Sequence, residues 1–194
     1  MALSEIEIWT IGHSTQSIEE FTDLLQANQI GALADVRRFP GSRRYPQFRQ
    51  EALAASLAQA EIEYQHFPEL GGRRRSVRVD SPNRAWRNAA FRGYADYMMT
   101  EAFRAGVERL LELAREKRTA IMCAEAVWWR CHRGMISDYL KAHGVKVSHI
   151  FSANKVQEHP YTSAANVVEG KLSYEGPQTE MKLQGSGEGG EGVQ

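Results

Sequence analysis

The alternation of β-rich runs with helix-period segments constrains this chain more than any other feature. Residues 6–12, IEIWTIG, alternate in character and predict a strand. Residues 17–28 follow, with Ser17 and Glu20 at capping-box spacing and Ile18, Phe21, Leu24 and Leu25 on one helical face. The alternation then repeats. Strands are expected over 31–39, 62–67, 118–124 and 145–151, and helices over 50–60, 100–117 (capped by Thr100) and 133–144 (stopped by Gly144). This order predicts an α/β fold: an open, mainly parallel sheet of about five strands with helices on both faces, in a Rossmann-like layering. Residues 71–90 are polar and show no clear period. From Glu175 the chain turns rich in glycine and poor in apolar residues, so a single domain over 1–174 and a disordered tail over 175–194 are expected.

Composition excludes several classes. No apolar run approaches the roughly 20 residues of a membrane span. The N-terminus lacks the basic start and apolar stretch of a signal peptide. Two cysteines cannot build a disulfide framework. The expectation is a cytoplasmic protein with reduced thiols and no membrane partner. The formal net charge of zero hides an asymmetry, because the 24 basic residues are 18 arginines and 6 lysines. Residues 36–92 alone hold 12 basic and 5 acidic side chains. The arginine fork matches carboxylate and phosphate, so such clusters suit an anion site; solvated loops with ordinary salt bridges are the alternative.

Ligands of open α/β sheets bind beyond the carboxyl ends of the strands. The unusual residues collect there. The first predicted strand ends in Gly12, His13 and Ser14. The second ends in Asp35, Arg37 and Arg38, with Arg43 close behind. The third is followed by Glu69, Gly71 and Gly72, and the fourth by Cys123, Glu125, Trp129, Cys131, His132 and Arg133. The connections at the opposite edge are plain. His13 is a candidate acid or base, since histidine titrates near neutrality. Asp35 is a candidate carboxylate held by Arg37 or Arg38. Phe39, Tyr45 and Phe48 interleave with arginines, which suits base stacking or pinning of the loop to its own core.

The segment CAEAVWWRCHRG, residues 123–134, carries four open readings. A cysteine is a nucleophile with His132 or His13 as base. Alternatively Cys123, Glu125, Cys131 and His132 ligate a metal, although Cys-x7-Cys is not a usual zinc spacing. The cysteines could instead be a redox pair, or simply pack.

In order, TIGHST, DVRRFPGSRR, PQF, ELGGRR, FRGYADYM and MCAE followed by RCHR resemble the bacterial family termed domain of unknown function 488. The resemblance spans about residues 6–152. It implies an α/β domain and marks the strand-end residues named above, Trp129 apart, as site candidates, but it carries no established reaction; the cofactor is left unknown and no metal ligand is assigned. The functional expectation is an enzyme acting on an anionic, phosphate-bearing substrate, a nucleotide or nucleic-acid end. Arg37, Arg38, Arg43 and Arg133 would hold the anion, and His13, Glu125 or His132 would move protons. The alternatives are a non-catalytic nucleic-acid-binding module and a protein-interaction domain anchored by Trp128 and Trp129.

Overall fold

The structure, a computed structural model, describes residues 3–74 and 78–176. The tail expected from Glu175 therefore lies almost wholly outside the described residues.

Among the described residues, eight strands and five α-helices follow in the order β1 (Glu7–Gly12), α1 (Ile18–Ala27), β2 (Ala32–Asp35), α2 (Gln50–Gln59), β3 (Glu63–His66), α3 (Ala89–Met98), α4 (Glu101–Glu116), β4 (Thr119–Cys123), α5 (Arg133–Ala142), β5 (Lys146–Ser152), β6 (Lys155–Glu158), β7 (Asn166–Val168) and β8 (Lys171–Ser173). The main sheet has the order β3-β2-β4-β1-β5-β6. Its first five strands are parallel neighbours, and β6 adds an antiparallel edge to β5. The α/β expectation holds. The sheet is one strand wider than read from sequence, and β7 and β8 form a separate hairpin whose turn, Glu169-Gly170, has two positive φ angles.

Both faces of the sheet are buried, as parallel strands require. Ile8, Ala34, Ile121 and Cys123 face a core built with α3, α4 and α5. Trp9, Leu33, Ala120 and Met122 face the opposite core with α1 and α2. Local signals explain the helix boundaries. The Ser17–Glu20 capping box forms, Thr100 accepts from the Phe103 amide, and Gly144 ends α5 region at φ +84°.

The predicted second strand is shorter than expected, ending at Asp35 rather than residue 39. The Asp35 carboxylate takes the Arg37 amide and turns the chain away from the ladder.

This topology fixes where a crevice opens. The connections leaving β1 and β2 run over the α1/α2 face, whereas the one leaving β4 runs over the α5 face. Strand β4, between β1 and β2, is therefore the switch point, and the chain parts on both sides of its carboxyl end. The strand ends are level there, with Gly12 beside Cys123 and Asp35 beside Met122.

Candidate active site at the switch point

The loop after β4 is held against the sheet from three sides. The amides of His13 and Ser14 donate to the carbonyls of Cys123 and Ala124 at 3.1 and 3.0 Å. A side chain at Gly12 would overlap the Glu125 carbonyl, so the close approach of β1 to this loop requires glycine. From below, the buried Arg133 guanidinium donates to the carbonyls of Glu125 (2.7 Å) and Ala126 (3.4 Å) and to Thr10 Oγ1 (3.4 Å). Burial pulls the Arg133 guanidinium down to about 9, which leaves it a cation at neutral pH.

Above the loop lies a cleft with two lobes. The first, about 370 Å³, is lined by Arg37, Arg38, Phe39, Gly72, Arg73, Phe91, Tyr94, Cys123, Glu125, Arg130, Cys131 and His132, among others. The second, about 500 Å³, includes His13, Ser14, Arg44 and Tyr45. Arg37, Phe39, Arg73, Ala124 and Glu125 belong to both. No carboxylate forms a salt bridge with Arg38, Arg73 or Arg130 among the described residues. Glu125 is the acidic side chain in the lining, so the cleft is cationic against one carboxylate.

The floor of the first lobe holds both cysteines. Cys123 ends β4 and Cys131 lies just before α5; their sulfurs are in contact, while their Cα atoms, 7.7 Å apart, stand beyond the span of a closed disulfide. His132 adjoins them with Nδ1 3.4 Å from Cys131 Sγ. Its other nitrogen, Nε2, lies 2.9 Å from the Val36 carbonyl. A carbonyl only accepts, so Nε2 bears the hydrogen and Nδ1 offers its lone pair to the sulfur side. Burial lowers His132 to about 4, so the ring is neutral at pH 7. Gly72 makes room for that ring, since a Cβ there would sit 2.8 Å from Nδ1.

Arg37 is aimed by Asp35, which lies fully buried beneath the cleft. The carboxylate accepts from Arg37 Nε at 2.8 Å, from Nη2 at 2.5 Å and from the Tyr64 hydroxyl at 2.7 Å. Arg37 Nη1 donates to the Phe48 carbonyl (2.9 Å) and approaches His13 Nε2 at 3.5 Å. His13 stacks on Phe48 and donates from Nδ1 to the Ser14 carbonyl. Burial and the Arg37 charge lower it to about 4.

Most predicted residues therefore converge: His13, Ser14, Arg37, Arg38, Gly72, Cys123, Glu125, Cys131 and His132 line the cleft. Gly12, Gly71 and Asp35 act beneath it; a Cβ at Gly71 would meet the Arg38 backbone at 2.7 Å. Four lie elsewhere. Glu69 pairs with Arg109 at 2.5 Å, Arg43 is exposed outside both lobes, Trp129 is exposed outside both lobes, and Arg133 lies beneath the loop, with Nη2 on its carbonyls and Nη1 on Thr10. The expected tryptophan pair divides. Trp128 is buried and stacks on His149, while Trp129 is 53% exposed.

Sequence reasoning missed Phe91, Tyr94 and Asn88 in the lining, whereas Arg73 and Arg130 belong to arginine clusters that the sequence places at the strand ends. Phe91 and Tyr94 stand three apart on α3, the signal that could have placed them. Also missed was a buried chain of hydrogen bonds, Thr10 Oγ1 to His149 Nδ1 (2.7 Å), His149 Nε2 to His159 Nδ1 (2.8 Å) and His159 Nε2 to Asp138 Oδ1 (2.9 Å). Among the described residues, no three His, Cys, Asp or Glu side chains are grouped to hold a metal ion. None of the described helices is long and apolar enough to cross a membrane.

An open, mainly parallel sheet with a cationic cleft at its switch point defines the structural class. The chain belongs to the family described as Domain of unknown function DUF488, which matches residues 17–140. Comparison with curated proteins and with solved structures gives no match.

Proposed function

We propose that the cleft is the active site of a thiol-dependent enzyme acting on an anionic, phosphate-bearing substrate, a nucleotide or a nucleic-acid end. The observation that carries this reading is the 3.4 Å approach of Cys131 Sγ to the free lone pair of His132 in an arginine-lined cleft. In the dithiol form, the Cys131 thiol donates a hydrogen bond to His132 Nδ1, which takes the proton as the sulfur attacks the electrophilic centre. The leaving group departs with the proton that His132 returns, and water then cleaves the bond to sulfur, releasing the product and restoring the thiol. The N-terminal end of α5 lies beside this sulfur and favours its anionic form. Arg38, Arg73 and Arg130 neutralise the phosphate, and Phe39 and Phe91 offer ring faces to a base.

The test is titration of the reduced protein with nucleoside monophosphates and with inorganic phosphate, followed by turnover assays on the ligands that bind. Arg73→Ala is expected to weaken binding by about tenfold, the loss of one charge-assisted contact. Cys131→Ser is expected to bind normally and not turn over. Undiminished turnover in both Cys131→Ser and His132→Ala would remove the thiol from the reaction.

A second reading, nucleic-acid binding without catalysis, is favoured by the exposure of Phe39 (67%) and Trp129 (53%) near unpaired arginines. It predicts affinity for single strands that falls steeply with salt, through counterion release. Salt-independent or absent binding excludes it. The protein-interaction alternative now rests on Trp129 alone, because Trp128 is buried.

A further inference from the structure

We propose that Cys123 and Cys131 form a reversible dithiol–disulfide centre that switches the cleft between a nucleophilic and a blocked state. The inference rests on the reading of Cys131 as the nucleophile. The pair differs from a structural crosslink in its setting. Both residues line an open cleft, and the cleft's cations and the end of α5 favour a thiolate there. Each comes from a separately anchored segment, the end of β4 for Cys123 and the turn before α5 for Cys131, and their sulfurs meet with Cα atoms 7.7 Å apart, so closing the disulfide moves the backbone of the cleft floor. His132 contacts Cys131 and gives it a proton acceptor, so the two cysteines are chemically unequal. Cys131 is the attacking thiol and Cys123 the resolving one.

The oxidant is a peroxide. The Cys131 thiolate attacks one peroxide oxygen, forms the S–O bond of a sulfenic acid and releases hydroxide, which becomes water on taking a proton. The Cys123 sulfur then attacks the Cys131 sulfur, the S–O bond breaks, and a second water leaves. Two thiols and one hydrogen peroxide thus yield one disulfide and two waters. A small dithiol reverses the change, itself becoming a cyclic disulfide. In the disulfide, Cys131 has no proton for His132 and no nucleophilic electron pair for a substrate.

With only two cysteines in the chain, intact-mass spectrometry and thiol titration report the state directly. The full chain is treated with stoichiometric hydrogen peroxide and then dithiothreitol. Expected is loss of two hydrogens and of both titratable thiols in the monomer, fully regained on reduction. Peroxide should consume the thiol of Cys123→Ser about tenfold faster than that of Cys131→Ser, because only Cys131 has the histidine. The Cys123→Ser product should be a sulfenic or sulfinic acid. Retention of both thiols in the oxidised wild type, crosslinking between chains only, or equal rates in the two variants would overturn the proposal. None of these readouts needs a substrate. Clean redox cycling without ligand binding would count against the enzymatic reading alone, and turnover unaffected by oxidation would overturn the switch.

Discussion

His13, His132 and His149 are the side chains through which pH acts most directly on this protein. Burial, chiefly, lowers them to about 4, about 4 and about 2, from 6.5. A base whose folded value is depressed takes up its proton more readily in the unfolded chain. Stability is therefore full above about 6.5 and declines as pH falls toward the folded values. Between pH 7.5 and 5 each ring costs on the order of 2 kcal/mol, which a urea midpoint measured at both pH values will register. Asp35 is sensitive for another reason. It accepts four hydrogen bonds, and removing it strands the buried Arg37 charge and the Tyr64 hydroxyl. Asp35→Ala is expected to destabilise by about 3–5 kcal/mol, whereas a solvated ion pair such as Arg104–Glu101 contributes about 0.5 kcal/mol or less. Urea unfolding of Asp35→Ala and of Glu101→Ala provides the comparison.

At the scale of elements, the site depends on two loops meeting without steric slack. Gly72, after β3, abuts the His132 ring at the start of α5. Gly72→Ala should push the ring off the Val36 carbonyl and lower the alkylation rate of Cys131 in the reduced protein while leaving the far-ultraviolet circular dichroism unchanged. An unchanged alkylation rate would mean that the ring is not held there by packing.

The elements that sequence reveals are those with their own local signals. The Ser17 box, the Thr100 cap and the Gly144 stop are each read within a few residues. Helix α3 escaped because Gly93 lowers its propensity and because Asp96 is buried, accepting from Ser81 and Asn83 in a distant segment. Strand β6 escaped because all four of its residues are exposed, so no alternation marks it; pairing with β5 alone makes it a strand. The site was readable as a set of strand ends, since topology sends those to one edge. The fates of Glu69 and Arg133 were not, because each depends on a partner distant in sequence or on backbone that folding brings near.

Over the whole molecule, Asp138 joins the sheet domain to the segment that follows β6. Its two oxygens accept from His159, from the Thr162 amide and hydroxyl and from the Tyr174 hydroxyl. All four donors lie beyond the 17–140 span matched by the family, so α5 carries an anchor for the described residues after β6. Asp138→Ala is expected to release residues 159–176 for cleavage by trypsin at Lys171 under native conditions, ahead of cleavage within the sheet; simultaneous loss of both would show that the segment is part of the folding core. The same helix steadies the cleft loop at its other end, because Arg133 grips that loop only through the carbonyls of residues 125 and 126. A support that reads main chain is indifferent to the side chains it carries. Positions 125 and 126, both exposed, can change under mutation while the loop keeps its path, so substrate preference can drift on an unaltered frame.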